Sequence, residues 1–541
     1  MPSTWGWPEE APTGSKDPGD ITFTVAGRFR MVDPWPEDRF VLCSEEFNED
    51  GVTGLVATNI SGTGTTAQAN GQLTLTAGAG GAWHTMARTR PDLPAPYVWV
   101  QTKVVSWSGS DADPGVYVGK DANNYARIYI DDSDSDYMKL ETVVNSNATT
   151  QTSTVVVAAG DEIMLVLTYP EVWGYIKKAG RGWMPVLFQT FTATGTASAQ
   201  DLRLDSIRSG WRPAVGASLA ASAAATFEYV KAGIIGGVGL RDFKPVVNKT
   251  GRPLLHQGCA WFTATMATGS DFMTNHMGLI KVDLYSGEVR VNGHLFFRPS
   301  ATVTTSMYGG QAMFDTATGL WRVFSNGWGY ERGSTSWWGG GTQNGRIRLW
   351  GASTYEDLFS VGVHILDTQV LTYDITDTAY DNSVRYDSAT GTWWMVATRT
   401  NDPTGWTAWR PILFSTTGDP ISGSWTTVQD GDVNYKGEGT VWTYLNGTWW
   451  IVAGGLAPNS GARLYTATLR KPSDNTAGQS DALASWTFSD GLLAPNSPHF
   501  ACVPYHHGST STVRYLMVTF DQTVLISSGA TQGAIIVMRG T

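Results

Sequence analysis

The chain alternates apolar and polar residues in short runs along most of its length, and long stretches with helical period are hard to find. Between Phe40 and about Gly233 the runs LTLTAGAG, YVWVQTKVVSW, GVYVGK, YARIYIDD, YMKLETVV, EIMLVLTY, VWGYIKK and FEYVKAG follow one another, parted by Gly, Asp, Asn and Ser turns. Alternation puts every second side chain on one face of a strand, so this punctuated series predicts an antiparallel sandwich. In the second half the pattern becomes a repeat. LHQGCAWFTAT from Leu255, GGQAMFDTATGLWRVF from Gly309, DNSVRYDSATGTWWMVA from Asp381, GEGTVWTYLNGTWWIVAGG from Gly437 and PHFACVPYHHGSTSTVRYLMVTF from Pro498 each lead from a small or polar cluster into alternation. With Ala260, Ala312, Val384, Val441 and Cys502 taken as equivalent, the copies stand 52 to 72 residues apart, room for a four-stranded sheet and its loops. Periods of this size mark propeller blades or a solenoid, and the alternation within each copy selects a five-bladed β-propeller.

Composition agrees with an all-β chain of two or three domains. Its 541 residues are 42% hydrophobic and only 16% charged, so large cores can form, and 61 glycines supply many turns. The expected fold class is a β-sandwich followed by the propeller, in four parts. Residues 1–38, rich in Pro, Trp and acidic groups (Trp5, Trp7, Pro8, Pro34, Trp35, Pro36), form an N-terminal arm that either packs on the body or docks on a partner. Residues 39–233 form the sandwich. Residues 234–252 have a linker's composition, within AGIIGGVGLRDFKPVVNKTGRP from Ala232, and 253–541 form the propeller.

A net charge of -11 repels a polyanionic backbone, and no basic stripe with interleaved aromatics offsets it, so nucleic acid is excluded as a partner. The opening MPSTWGWPEEAP lacks the basic and apolar regions of a signal peptide, and no apolar run reaches about 18 residues, which argues against membrane insertion. Cys43, Cys259 and Cys502 make no disulfide framework. Cys259 and Cys502 fall in the first and last repeats, but their aligned positions differ by one residue and face opposite ways, so free thiols are expected rather than a closing bridge. Walker, dinucleotide, HExxH, CxxC and GxSxG signatures are missing from the sequence.

In a propeller the innermost strand of each blade begins near the central channel, so the heads of the repeats converge. Those heads are Gln257, Gly309, Asp381, Glu438 and, within a residue, His499. Two acids and a histidine in one mouth suffice to suggest glycoside hydrolysis, which needs a pair of carboxyls. The same acids would also serve as strand caps around a watery channel, and His256 and His499 as hydrogen-bonded channel histidines without metal. Asp315 and Asp387 lie in D[TS]ATG turns, where Asp caps its own backbone. Trp321, Trp393 and Trp449 recur at one repeat position and read as blade core. The loop SNGWGYERGSTSWWGGGTQNG from Ser325 is a candidate ligand rim: Trp328, Trp337 and Trp338 offer flat faces to sugars, while Arg332, Gln343 and Asn344 offer hydrogen bonds to hydroxyls. A plain packed loop is the alternative.

The order of strands in the first half resembles the concanavalin-like or laminin-G-like jelly roll, in which an opening element (EEF, Glu45 to Phe47) pairs near a closing one (FEYV, Phe227 to Val230) and the concave face often binds glycans. The repeats resemble the five-bladed glycosidases of glycoside hydrolase family 43, the arabinanase and β-xylosidase class. HQGCA from His256, DNSV from Asp381, GEGTVW from Gly437 and PHFA from Pro498 follow that family's order of motifs. The resemblance implies Glu438 as general acid, Asp381 as the acid that orients it, His256 beside the substrate, and His499 near a central metal, for which calcium is expected. It puts Gln257 where the family has its general-base Asp. An amide takes no proton from water, and loss of a base costs on the order of 10²- to 10⁴-fold in rate; a nearby acid such as Asp271 is the alternative base, though nothing in the sequence places it in the channel. The whole chain is also similar in style to minor tail proteins of bacteriophages that infect actinobacteria. That resemblance implies an oligomeric virion component in which a degenerate propeller and a lectin-like sandwich recognise host cell-wall polysaccharide of arabinogalactan type, with other tail proteins as partners through the arm. An extracellular glycoside hydrolase and a purely structural tail component are the alternatives.

Overall fold

The computed structural model describes residues 8–14, 16–17, 20–29, 41–45, 47, 55–89, 92–169, 171–190, 201–234, 239–267, 275–327, 347–401, 409–432, 437–455, 461–471, 476, 481–482, 499–506, 512–520, 525–526, 530–531 and 535–540. The chain is all-β, and it divides into two compact units. One comprises Met1–Met31, Gly237–Ala301 and Thr305–Thr541, the other Val32–Gly236 with Thr302–Thr304. In sequence, therefore, the second unit interrupts the first. Among the described residues no helix is long and apolar enough to cross a membrane.

Val32–Gly236 forms a jelly-roll sandwich of two antiparallel sheets. One runs in the order Asn147–Val156, Tyr137–Val144, Asn124–Asp131, Ala112–Asp121, Arg212–Leu219, Trp83–Thr89, Leu55–Ser61. The other is built around Tyr97–Ser108, Glu162–Thr168 and Glu171–Lys177. Period-2 alternation sets the faces: Ala126, Ile128 and Ile130 are fully buried, and Ile128 pairs with Val116 on one side and Leu140 on the other. The two sheets meet closely at Gly174, whose missing Cβ leaves room for the Ile128 and Met138 side chains of the opposite sheet. Val230 pairs with Glu45, so the opening and closing elements lie side by side as the jelly-roll resemblance implied.

Among the described residues the other unit holds five groups of four antiparallel strands, the blades of a propeller, and parallel pairing of Val289–Ser300 with Gly362–Val370 joins the first two groups into one sheet. Blade 1 is Gly239–Pro245, Cys259–Ala267, His276–Asp283 and Val289–Ser300; blade 2 is Ala312–Asp315, Leu320–Asn326, Leu349–Thr354 and Gly362–Val370. Blade 3 is Thr378–Asp387, Thr392–Thr400, Arg410–Thr416 and Ser424–Asp430; blade 4 is Gly437–Leu445, Thr448–Gly455, Gly461–Thr466 and Asp481–Ala482. Blade 5 takes three strands from the C-terminal region, Ala501–His506, Val513–Phe520 and Ile535–Gly540, and its fourth, Phe23–Phe29, from near the N-terminus.

Apolar side chains fill the space between successive blades. Trp261, Trp321 and Trp350 join blades 1 and 2, and Phe324, Trp393 and Trp425 join blades 2 and 3. Leu413, Trp442 and Tyr465 join blades 3 and 4, and Val441, Phe500 and Met517 join blades 4 and 5. Gly239–Pro245 lies against the first two strands of blade 5 and closes the ring. Asp315 and Asp387 accept from the amides of Ala317 and Ala389 and cap their turns. Cys259 and Cys502 are free thiols.

Two stretches differ from the expected partition. The described part of the arm is built into the propeller: Ile21 and Phe23 are buried in the core of blades 4 and 5, and Glu9–Glu10 pair with Leu254–Leu255. The expected linker contains the innermost strand of blade 1. The first segment carries strand alternation (Ile21, Phe23, Val25) under a proline-rich composition; in the second, a bulge puts Leu240 and Phe243 three residues apart, so no period of two shows in the glycine-rich stretch.

Candidate active site

The inner strands of four blades share one irregularity. Arg241 pairs with Thr265 and the next pair is Lys244 with Thr263; Tyr380 pairs with Thr398 and the next is Ser383 with Val396; Glu438 pairs with Gly454 and the next is Val441 with Val452. In blade 2 the amide bonds run from Tyr308 to Asn326 and then from Gln311 to Phe324. In each case two residues bulge opposite one, and the first of the two has positive φ: Asp242 (57°), Gly309 (71°), Asp381 (53°) and Gly439 (67°). Asp tolerates the left-handed region better than most residues, and such a bulge re-aims the side chains beside it.

These bulges bring Asp242, Asp381 and Glu438 around His499, which lies just before the first strand of blade 5. His499 Nδ1 is 2.9 Å from Asp242 Oδ1, a charge contact rather than an aligned hydrogen bond. Its Nε2 lies 4.0 Å from Asp381 Oδ2 and 3.9 Å from Glu438 Oε1. The Tyr380 hydroxyl reaches Glu438 Oε2 at 3.5 Å, and Arg241 Nε is 3.4 Å from Asp242 Oδ2. Asp242, Asp381 and His499 are each less than a tenth exposed.

Beneath the acids the residues two places past each bulge lock the blades together. Lys244 Nζ, fully buried, donates to the carbonyls of Asp381 (2.8 Å) and Thr440 (2.6 Å), the bulges of blades 3 and 4. Gln311 Oε1 accepts from the Val384 amide at 2.8 Å and the Ser383 hydroxyl at 3.2 Å, and Ser383 Oγ in turn accepts from the Trp442 amide at 3.1 Å. The acids thus stand on backbone that neighbouring blades hold in place.

Burial opposes charge on the His499 ring, but Asp242, Glu438 and Asp381 outweigh it and push the imidazole up to about 10. Burial alone would raise the Asp242 carboxyl; the charges of His499 and Arg241 instead hold it well below the usual carboxylate range. Asp381 is pushed up to about 7, first by burial, with Asp242 and Glu438 adding to it against His499 and Lys244. Burial lowers Lys244 to about 8 against the pull of Asp381 and Asp242. The mouth therefore holds one carboxylate that stays ionised, one that titrates near neutrality and one imidazolium.

Of the residues singled out from sequence, Asp381, Glu438 and His499 come together. Gln257 does not join them. It is an exposed turn residue with φ 53° between Leu254–His256 and Cys259–Ala267, at the far end of the second strand of blade 1 from the Arg241–Thr265 pair. Six residues of extended chain separate Cys259 from Thr265, about 20 Å. His256 belongs to that far end too, stacked on Phe359 at 4.6 Å and packed beside Trp261. The first-blade acid is Asp242, which sequence alignment missed because the tight hairpin that marks the other inner strands is replaced in blade 1 by residues 246–258. Trp328, Arg332, Trp337, Trp338, Gln343, Asn344 and Asp271 lie outside the described residues.

Asp381, Glu438 and His499 can each present a ligand atom within 4.8 Å of the others. Calcium, however, takes six to eight oxygens. Among the described residues this set supplies two carboxylates and an imidazole that Asp242 engages in its cationic form. The donors fit calcium poorly.

No protein-family model and no curated protein sequence matches the chain. Solved structures are similar to parts of the chain at low scores. A mutant levansucrase from Bacillus subtilis is 10% identical over 52% of this chain and 79% of that one, with a TM-score of 0.34. The GH43 protein BlXynB from Bacillus licheniformis is 17% identical over 37% of this chain and only 40% of that one, with a TM-score of 0.27. A beta-1,3-glucanase from Mycobacterium marinum is 11% identical over 36% of this chain and all of that one, with a TM-score of 0.27. Likenesses this distant carry no argument about chemistry, which rests on the geometry above.

Proposed function

We propose that the propeller mouth hydrolyses glycosidic bonds in a cell-surface polysaccharide. The observation that carries this reading is the meeting of Asp242, Asp381 and Glu438 around His499, which supports Asp242 as the base in place of Gln257. Asp242, ionised, accepts a proton from an attacking water. Glu438 protonates the leaving oxygen, and Asp381, beside it, orients it. Asp242 and Glu438 approach the imidazole at opposite nitrogens, so the ring stands between them. A water activated by one carboxylate while a second carboxyl protonates the leaving oxygen is the inverting reaction. The test is release of reducing ends from arabinan, xylan and arabinogalactan. Wild type should release sugar, and Asp242→Asn and Glu438→Gln should each lose on the order of 10²-fold or more. No release by wild type from any polymer over days sinks the reading.

One observation favours recognition without turnover as the second reading. A carboxylate held far below its usual range by an imidazolium is a weak base, so Asp242 gives up catalytic power while the site keeps its shape. Retention on a polymer without release selects this reading. A place in a bacteriophage tail, as an oligomer on the virion with tail proteins as neighbours, is a further proposal that rests on the style of the sequence. Mass spectrometry of purified particles tests it.

A further inference from the structure

Asn326 ends the second strand of blade 2 and is fully buried, yet among the described residues neither its amide nitrogen nor its amide oxygen has a hydrogen-bond partner. Its backbone is well tied, exchanging bonds with Tyr308 across the blade 2 bulge. The side chain reaches over Gly309: a Cβ placed there would come 2.5 Å from Asn326 Nδ2 and 2.8 Å from Asp381 Oδ1. The absence of that Cβ therefore leaves an unpaired carboxamide and an active-site carboxylate converging on one spot. Buried polar groups are almost always paired, and a leucine of similar volume would fill this position without the cost of an unsatisfied amide. Such a group is explained if its partner arrives from outside. A carboxamide offers a donor and an acceptor side by side, which matches a sugar hydroxyl, itself both acceptor and donor, next to the acceptor-rich Asp381.

We propose that Asn326 is a specificity-determining residue that hydrogen-bonds a hydroxyl of the glycosyl unit bound against Asp381. This rests on the reading of the mouth as a glycan site. Sites built to pair a hydroxyl reject ligands that lack it far more strongly than apolar pockets discriminate by size, because the buried partner is then left unpaired.

The test uses the full chain with Asn326→Leu and, as a second variant should the first repack, Asn326→Ala. Melting temperature is measured together with affinity for arabinan, xylan and arabinogalactan. Asn326→Leu is expected to melt at or above wild type, because an unpaired amide has been removed, and both variants are expected to bind at least tenfold more weakly. Wild-type affinity in both variants overturns the proposal while leaving the glycan reading intact. A clear fall in melting temperature in both variants overturns it too, since it would mean that the amide has a structural partner. A wild type that binds none of the three polymers sinks the glycan reading and this proposal together.

Discussion

His499 keeps its proton because three carboxylates face it in a buried mouth, and this makes the acid–imidazole cluster sensitive to pH in both directions. An unfolded histidine titrates near 6.5, the folded one near 10. The stabilisation from His499 is therefore complete below pH 6.5 and is lost as pH rises through about 10. Asp242, with its folded value depressed, contributes its full stabilisation above its unfolded pKa of 3.8 and loses it as pH falls from there through the lower folded value. The melting temperature of His499→Gln should lie furthest below wild type near pH 6 and approach it as pH climbs toward 10; a gap independent of pH would contradict a charged imidazole. Asp381 works the opposite way. Between 3.8 and about 7 the unfolded chain ionises while the folded carboxyl holds its proton, so folding loses stability across that window. Asp381→Asn is expected to raise the melting temperature at pH 8 by a few degrees while abolishing any turnover, a pairing that calorimetry and the sugar-release assay together can check. Gln257→Ala should change neither, because that side chain is an exposed turn residue.

At the scale of the element, the bulge does what ordinary strand alternation cannot. In a regular strand neighbouring side chains point to opposite faces; inserting one residue at positive φ lets Asp242 and Asp381 face the axis while the following residues return to pairing. In blade 4 the bulged position is Gly439, and two constraints forbid anything larger. Its φ is 67°, and a Cβ there would lie 2.3 Å from the His499 ring. Gly439→Ala should cost about 1–3 kcal/mol in backbone strain alone and move His499 off the acids. A melting temperature within a degree of wild type would show that the ring can yield. The bulge also explains which parts of the site were readable. Glu438 and Asp381 stand just ahead of an alternating run that turns tightly into a Trp strand, so the repeat displayed them. Asp242 heads a strand followed by a long excursion instead of a tight turn, and the matching turn at His256–Cys259 belongs to the far side of the blade.

For the whole molecule, the ring is completed by chain from before the sandwich. Phe23–Phe29 is the outer strand of blade 5, and the segment before it runs over the end of the propeller away from the acids, bonding Pro253, Asn446 and Tyr515 in blades 1, 4 and 5. Deleting residues 1–31 would expose the edge of Ile535–Gly540 and uncover the core around Met538 and Tyr515, so the truncated protein is expected to melt at least 5–10 °C lower and to aggregate on size exclusion. A truncated chain with unchanged melting and elution would mean that blade 5 stands on three strands.

Alternation and a recurring Trp strand determine the fold class, because burial on one face of a strand is a local property written every second residue. They also display the acids of blades 3 and 4. Four things were decided only in three dimensions: that a proline-rich leader supplies a blade strand, that a glycine-rich stretch supplies the innermost strand of blade 1, that Asp242 rather than Gln257 meets the other acids, and that Asn326 and Asp381 both reach to Gly309. Each depends on contacts between residues from tens to hundreds of positions apart, whose pairing is selected by the packing of neighbouring blades and leaves no local period to read.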